Sequence, residues 1–230
     1  MRTRLFTLLI CSPLAAMAHP GHILFPAVAA PGDAASVTDK VVIGKGAATY
    51  EAVPGWCKLP GGKKIGNTHG NIVVDKAGQV YFTTDTDFSI CVYTAAGDFV
   101  RSLPKKLKGC HDIQLVEEDG EEFIYAAHLS QKRLVKLKLD GSEVWAAGCP
   151  MESKKYQNAK QYNPTGVAVV PGGDVYVSDG YGKNWVHRYT RDGKYVSSFG
   201  GRGTEPGLFR TCHGIEVDER SGTPILLVCD

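Results

Sequence analysis

The stretch that decides the fold is "PTGVAVVPGGDVYVSDGYGKNWVHRYTRDGKYVSSFG", residues 164–200. Apolar and polar residues alternate in it, Val and Tyr are frequent, and Gly and Asp interrupt the pattern. Alternation with a period of two predicts half-buried strands, whereas an amphipathic helix would show a period of 3.6 residues. The stretch therefore predicts four short strands, with Tyr176 in the second and Gly193 in the turn before the fourth.

The same order of strands and turns recurs along the chain. Complete units begin at Thr68, Cys110 and Pro164, a partial unit begins at Cys212, and these starts are 42, 54 and 48 residues apart. The second strand of the complete units carries Tyr81, Tyr125 or Tyr176, and the last turn carries Gly97, Gly141 or Gly193. Four antiparallel strands in ~40–50 residues are typical of a β-propeller blade. The predicted fold class is therefore all-β, a propeller.

Residues 163–218, from "NPTGVAVV" to "CHGIEVD", resemble the lyase domain of the peptidylglycine α-amidating enzymes and related exported bacterial NHL-repeat proteins. The similarity extends over about residues 66–230. It implies a six-bladed NHL propeller, of which this chain supplies about three and a half blades, with residues 50–60 as a candidate closing strand. Because an open propeller exposes sheet edges, we expect a C-terminally incomplete fragment of a longer protein; a dimer that completes the ring is the alternative.

The N-terminus has the three parts of a secretory signal. "MRTRLFTLLICSPLAAMA", residues 1–18, contains Arg2 and Arg4, an apolar run and an Ala-Met-Ala cleavage site. We expect cleavage after about Ala18 and a secreted or periplasmic protein. The predicted domains are a signal peptide at 1–18, a flexible N-terminal segment at 19–45 and the NHL β-propeller at 46–230.

Composition limits the partners. The net charge is +2, from 26 basic and 24 acidic side chains, which gives no indication of nucleic-acid binding. No other stretch approaches the ~18 apolar residues that span a bilayer, so no membrane association is expected after signal cleavage. We expect a small-molecule or peptide substrate, or a protein partner.

Six cysteines follow the signal, and the pattern leaves open whether they are buried thiols or disulfides.

Two histidines open the inner strands of alternate units. His111 and His213 each follow a Cys and lie 102 residues apart, which is two blades. Inner strands line the channel of a propeller, so in a six-bladed ring the two are separated by a third of a turn. Three imidazoles at such places, with an open position, are typical of catalytic zinc. The alternative is a packed histidine that hydrogen-bonds a neighbouring carbonyl.

The resemblance implies the same metal. In the amidating lyase, histidines of alternate blades hold zinc, and His111 and His213 match two of those ligands. A third would follow about 100 residues after His213 on the repeat spacing. His69 occupies the equivalent place in the first unit, where the lyase uses no ligand. Whether Ca²⁺ also sits in the channel stays open.

Tyr181 is the candidate catalytic residue. It lies in "VSDGYGKNW", and the lyase has its catalytic Tyr in a matching Ser-Asp-Gly-Tyr context, acting as base on the substrate hydroxyl. A phenol needs a nearby cation to act as a base at neutral pH; without one, Tyr181 would be a rim residue for ligand stacking. One arginine of the lyase has no counterpart in the loop matching residues 83–88, and a second would follow directly after Asp230, where this sequence stops.

Two functions follow. The first is a secreted NHL propeller with a lyase-like zinc centre that cleaves the N–C bond of α-hydroxyglycine-type substrates to an amide and glyoxylate. The second is a non-catalytic NHL propeller that binds a protein or peptide on its loop face, with residues 150–163 and 200–211 as the rim. Sugar-lactone or quinone chemistry would need calcium ligands or a cofactor-binding set that the sequence does not show.

Overall fold

The structure is a computed structural model that describes the backbone of residues 8–11 and all of residues 41–230. The chain divides into two compact units, one of residues 1–12 and 57–230 and one of residues 13–56. In the smaller unit, strands β2 (Val42–Lys45) and β3 (Ala48–Glu51) form an antiparallel hairpin. The predicted domain boundary at residue 46 falls in this hairpin, in which β3 pairs with β2. Most of the predicted signal and flexible segments lie outside the described residues.

The larger unit contains three complete blades, which confirms the predicted propeller. Each is a four-stranded antiparallel sheet whose strands pair in chain order. The first blade has β4 (Ile72–Val74), β5 (Val80–Thr83), β6 (Ile90–Tyr93) and β7 (Phe99–Ser102). The second has β8 (Cys110–Glu118), β9 (Glu121–His128), β10 (Arg133–Lys138) and β11 (Glu143–Ala147). The third has β12 (Gly166–Val169), β13 (Val175–Ser178), β14 (Trp185–Tyr189) and β15 (Tyr195–Gly200).

Part of a fourth blade follows. Strands β16 (Gly214–Asp218) and β17 (Ile225–Cys229) pair antiparallel, and the backbone of β1 (Leu8–Cys11) lies parallel to β17 on its other edge. The helical content of the described residues is limited to four 3₁₀-helices: Pro60–Gly62, Lys105–Leu107, Met151–Ser153 and Ala159–Gln161. None of the described helices has the length and apolar character needed to cross a membrane.

Tight turns between the third and fourth strands make the blades compact. Gly97, Gly141 and Gly193 have φ of 89°, 84° and 79°, in the left-handed region where a residue without a Cβ carries no steric penalty. The repeated tyrosines are buried as the strand pattern requires, since Tyr81 and Tyr125 are 0 % exposed and Tyr176 is 4 % exposed. The period-two pattern therefore located the strands, but β6, β12 and β13 are buried on both faces rather than half-buried as predicted. Neighbouring blades cover both faces of β12 and β13.

The hydrophobic core lies between blades. Ile113 and Val135 of the second blade pack in one cluster with Tyr81 of the first. Further clusters join the second blade to the third, and the third to the fourth.

All six cysteines after residue 18 are free thiols, and Cys91, Cys110 and Cys212 are buried among apolar side chains. This settles the alternative between thiols and disulfides.

Side chains of β8 join the inner strands of adjacent blades. The Asp112 carboxylate accepts the N–H of Val167 at 3.0 Å, and the Gln114 side-chain oxygen accepts the N–H of Val169 at 2.9 Å. Asp112 also accepts the N–H of Asn71 from the first blade at 3.0 Å. These bonds satisfy inner-strand donors that would otherwise lack a partner. They fix the starts of β4, β8 and β12 against one another, where the candidate histidines lie.

A candidate imidazole–phenol centre

The structure brings the predicted site residues together. The ring of His111 lies 4.9 Å from that of His213 and 5.3 Å from that of Tyr181, measured between centroids. The rings of Tyr181 and His213 are 5.1 Å apart. These residues come from the second, third and fourth blades, so only the packing of the blades makes them neighbours. We call His111, His213, Tyr181 and the adjoining His69 the imidazole–phenol centre.

A β-bulge presents His111 to this centre. Cys110 pairs with His128 and Asp112 pairs with Ala127, so His111 is the extra residue between two pairs of the β8–β9 ladder. A bulge re-aims the side chain that it carries. Cys110 lies in the core, whereas the ring of His111 contacts those of His69, Tyr181 and His213. His128 hydrogen-bonds the Lys106 carbonyl at 3.1 Å and is fully buried, as a structural residue would be.

His111 is held as a neutral imidazole with one free nitrogen. Its Nδ1 lies 2.8 Å from the Thr165 carbonyl oxygen, and because a carbonyl only accepts, Nδ1 carries the proton. Burial, opposed by the Thr165 hydrogen bond and reinforced by the neighbouring His213 and His69, lowers the pKa of His111 to about 4. The remaining nitrogen, Nε2, is buried and has no hydrogen-bond partner in the described part of the chain. His111 therefore presents an unused lone pair at neutral pH.

His213 and Tyr181 form a direct pair. The Tyr181 hydroxyl oxygen lies 2.8 Å from Nε2 of His213. Partial burial by the adjoining rings, and then His69, lower the pKa of His213, so its imidazole is neutral at pH 7 although part of its side chain contacts solvent. Tyr181 is 52 % exposed. The pair therefore joins a solvent-accessible phenol to a neutral imidazole.

Two glycines allow the Tyr181 loop to approach His213. A Cβ on Gly180 would lie 2.5 Å from Thr165 Oγ1, 2.8 Å from the Cys212 carbonyl oxygen and 3.0 Å from His213 Cα. A Cβ on Gly182 would overlap the Asp179 carboxylate. All of these contacts would be shorter than an ordinary van der Waals contact. The Gly-Tyr-Gly sequence is thus needed for the loop to lie against the backbone that carries His213.

His69 and Asp85 extend the centre in a way that the motif did not predict. The His69 ring stacks on that of His111 at 4.7 Å, and its Nε2 lies 2.9 Å from an Asp85 carboxylate oxygen. Asp85 lies in the loop of residues 83–88, where the expected arginine is absent. The sequence position of His69 could have indicated its role, because it lies just before the first inner strand and His111 lies at the start of the second. Asp85 had no comparable signal.

The donor set fits a metal ion in part. A catalytic zinc ion commonly has three protein ligands and an open position. His111 Nε2 has the free lone pair that a ligand needs, and His213 Nε2 offers a second one wherever Tyr181 does not occupy it. Within residues 8–11 and 41–230, however, no group of three or more His, Cys, Asp or Glu side chains is arranged to hold a metal. The described residues thus bring together two imidazoles, whereas a catalytic zinc site commonly uses three protein ligands.

The predicted rim at residues 150–163 is partly core. Tyr156 is 5 % exposed and Tyr162 is fully buried, and both pack between the second and third blades. Charged residues of the same segment, such as Lys154 and Lys160, remain exposed. The segment is therefore anchored by its aromatic residues and keeps its lysines at the surface.

Comparison with known proteins supports the repeat and the fold. The NHL repeat family matches residues 162–189. The virginiamycin B lyase of Staphylococcus aureus is 17 % identical, with a TM-score of 0.50 over 72 % of this chain and 50 % of that one. A streptogramin B lyase is 18 % identical, with a TM-score of 0.51 over 70 % of this chain and 47 % of that one.

A catalytically inactive histidine-to-alanine variant of the Staphylococcus aureus enzyme, with quinupristin, is 18 % identical with a TM-score of 0.50, covering 75 % of this chain and 51 % of that one. No curated protein gives a significant match. The chain spans about half the length of these solved structures. At this identity the likeness concerns the fold alone.

Proposed function

We propose that this chain, an NHL-repeat β-propeller, is a lyase whose reactive groups are those of the imidazole–phenol centre. Its substrate would be an N-acylated α-hydroxyglycine, and its products a primary amide and glyoxylate. The observation that carries the proposal is the Tyr181 hydroxyl at 2.8 Å from His213 Nε2, beside the unpartnered Nε2 of His111. A phenol between a candidate metal site and solvent is suited to remove a proton from an entering hydroxyl group.

His111 and His213 are the residues that would hold zinc. Both imidazoles are neutral at pH 7, as metal ligation requires. The Thr165 carbonyl orients His111 in the way that an outer hydrogen-bond partner fixes the tautomer of a metal-binding histidine. When bound, zinc would polarise an oxygen of the substrate and favour the ionised form of a neighbouring phenol. The remaining ligands would come from water, substrate or parts of the protein outside the described residues.

In a zinc-loaded site, His213 Nε2, which lies 2.8 Å from the Tyr181 hydroxyl, would be a ligand atom, and the neighbouring Tyr181 phenol would lose its proton to solvent. As a phenolate, Tyr181 accepts the proton of the substrate hydroxyl. As the substrate oxygen forms its C=O bond to give glyoxylate, the C–N bond breaks and its electron pair passes to the amide nitrogen. Tyr181 returns the proton to that nitrogen, so the reaction is a balanced elimination without oxidation or reduction.

The structural neighbours support lyase chemistry on this fold. All three of the structures reported above are named as lyases, and one of them is a catalytically inactive histidine-to-alanine variant. Export is the second part of the proposal, carried by the signal pattern of residues 1–18. N-terminal sequencing of protein recovered outside the cytoplasm tests it, and a mature N-terminus at His19 is expected.

The decisive experiment measures zinc content and glyoxylate release on the purified chain with α-hydroxyhippurate as substrate. We expect bound zinc and glyoxylate release in the wild type, loss of zinc in His111→Ala, and loss of release with retained zinc in Tyr181→Phe. His128→Gln is the matched control, because it changes a buried histidine outside the centre. A folded wild type without zinc and without glyoxylate contradicts the lyase and favours the peptide-binding alternative, which the exposed Tyr181 would serve by stacking.

A further inference from the structure

We propose that Asp179 positions Tyr181, acting with Tyr156 and His187 as one buried hydrogen-bonded chain. The inference rests on the proposed function insofar as Tyr181 is taken to be the reacting group. It assigns a role to the segment of residues 150–163, which contributes Tyr156 and which neither the rim prediction nor the imidazole–phenol centre explains.

Asp179 holds both sides of the Tyr181 loop. It is 0 % exposed and lies two residues before Tyr181. One carboxylate oxygen accepts the N–H of Asn163 at 2.6 Å, and the other accepts the N–H of Lys183 at 2.6 Å. Its carbonyl accepts the N–H of Gly182 at 3.1 Å. The buried carboxylate therefore joins the loop, at Lys183, to Asn163 of the neighbouring segment, and the Asp179 backbone carbonyl adds the bond to Gly182.

The neighbouring segment is fixed by the same carboxylate. Asn163, whose N–H binds Asp179, accepts the N–H of Tyr181 with its carbonyl at 3.4 Å. Lys132 donates to the Tyr162 carbonyl at 3.1 Å and thereby also holds this segment. The backbone of Tyr181 is thus tied to Asp179 through Asn163 as well as through Gly182. The position of the phenol depends on this one carboxylate.

Tyr156 connects Asp179 to a longer chain. Its hydroxyl lies 2.7 Å from the Asp179 carboxylate and 2.6 Å from His187 Nε2. His187 Nδ1 lies 2.8 Å from the Ser198 hydroxyl, which lies 2.7 Å from the Tyr195 hydroxyl. A carboxylate only accepts, so the Tyr156 hydroxyl donates to Asp179 and accepts a hydrogen bond from His187 Nε2. The other ring nitrogen, His187 Nδ1, then accepts from the Ser198 hydroxyl. Every donor in the chain is therefore directed toward Asp179.

The protonation states of His187 and Asp179 agree with these hydrogen-bond directions. Burial lowers the pKa of His187 to about 3, so the ring is neutral and can accept at Nδ1 while it donates at Nε2. Burial raises the pKa of Asp179, and the N–H groups of Lys183 and Asn163 and the Tyr156 hydroxyl lower it again. Among the ion pairs of the described residues none includes Asp179. Its charge is stabilised by these hydrogen-bond donors and, without a direct ion pair, by the nearby Lys132. Losing one of the donors releases the loop.

The experiment measures the Tyr181–His213 hydrogen bond directly in Asp179→Asn and Tyr156→Phe. In metal-free protein labelled with ¹⁵N-histidine, NMR of His213 Nε2 reports whether the Tyr181 hydroxyl remains in place, and Tyr181→Phe supplies the signal of the broken bond. We expect Asp179→Asn to move the His213 signal to the Tyr181→Phe position and Tyr156→Phe to move it part of the way. With α-hydroxyhippurate, kcat should fall ~100-fold and ~10-fold respectively at nearly unchanged KM, as displacement of a positioned group does.

Tyr125→Phe is the matched control. It also removes a buried tyrosine hydroxyl from a carboxylate, that of Glu118 at 2.5 Å, but at the opposite end of β8 from His111. It should lower the melting temperature and leave the His213 signal unchanged. If Asp179→Asn does not fold, the His213 signal of Tyr156→Phe alone decides whether the positioning role holds. A His213 signal at the wild-type position in the folded variants overturns the positioning role. Absence of glyoxylate from the wild type overturns the proposed function instead, without affecting the NMR result.

Discussion

The Tyr181 hydroxyl lies 2.8 Å from Nε2 of His213, although the two residues are 32 positions apart and belong to different blades. Tyr181 follows β13 of the third blade, and His213 precedes β16 of the fourth. Tyr181 therefore lies in the loop after its strand, and His213 lies in the loop before its strand. The rigid sheets behind these loops fix the pair, which is the arrangement expected of a functional site on a propeller.

Replacing Tyr181 by Phe should abolish lyase activity while the fold remains intact. Tyr181 is 52 % exposed, so removal of its hydroxyl should change the free energy of unfolding by no more than ~0.5 kcal/mol. Glyoxylate release and urea denaturation of the same preparations test both statements. Full activity in a folded Tyr181→Phe protein would exclude the phenol as the base.

Replacing Gly180 by Ala should disturb the centre and lower stability. The added methyl group would meet Thr165 Oγ1 at 2.5 Å and the Cys212 carbonyl oxygen at 2.8 Å, and such overpacking costs ~1–3 kcal/mol. Gly148→Ala is the matched control, because no described atom lies within 4 Å of the place that its methyl group would take. Denaturation of both variants should show a loss for Gly180→Ala alone. Equal stability would mean that the loop has room to move away from His213.

Replacing Asp112 by Ala should strongly destabilise the propeller. Its carboxylate accepts the N–H groups of Asn71, Ile113 and Val167, two of which belong to other blades. Buried donors left without a partner cost ~1–3 kcal/mol each, so we expect a loss of at least ~3 kcal/mol in urea denaturation. The exposed Asp140, whose contacts are with the nearby Ser142, serves as control in Asp140→Ala. A loss below ~1 kcal/mol for Asp112→Ala would show that the blades are not joined through this residue.

The stability of the protein should depend on His187 in acid. Burial lowers its pKa from 6.5 to about 3 in the folded protein, so between these values the unfolded chain binds a proton that the folded chain does not. The stabilisation associated with the neutral ring is therefore complete above pH ~6.5 and is lost as the pH falls toward 3. Its slope is at most ~1.4 kcal/mol per pH unit.

His187→Asn provides the reference for this pH dependence. Urea denaturation of wild type and variant from pH 7 to pH 4.5 should show the stability advantage of the wild type shrinking as the pH falls. The groups around His187 are Tyr156, Tyr162, Ser198, Tyr195, the charged Lys155 and, through Tyr156, Asp179, and all of them are common to both proteins. A constant difference across this range would mean that His187 titrates normally in the folded state.

Much of the fold was predictable because strand alternation is a local property. The spacing of Tyr81, Tyr125 and Tyr176 and of the turn glycines placed the blades, and their order in the sheets follows from short antiparallel connections. The segment of residues 150–163 was harder, since its lysines suggest a solvated loop and its two tyrosines pack inward only against blades that the local pattern cannot place.

The sequence by itself determined the repeat, the blade boundaries and the placement of His111 and His213 at the starts of inner strands. Only the tertiary structure decided which groups meet: the hydrogen bond of Tyr181 with His213, the stacking of His69 on His111, and the carboxylates Asp85 and Asp179 beside them. The physical reason is that strand formation depends on neighbours along the chain, whereas these contacts depend on the packing angle of separate blades and on one bulge at His111.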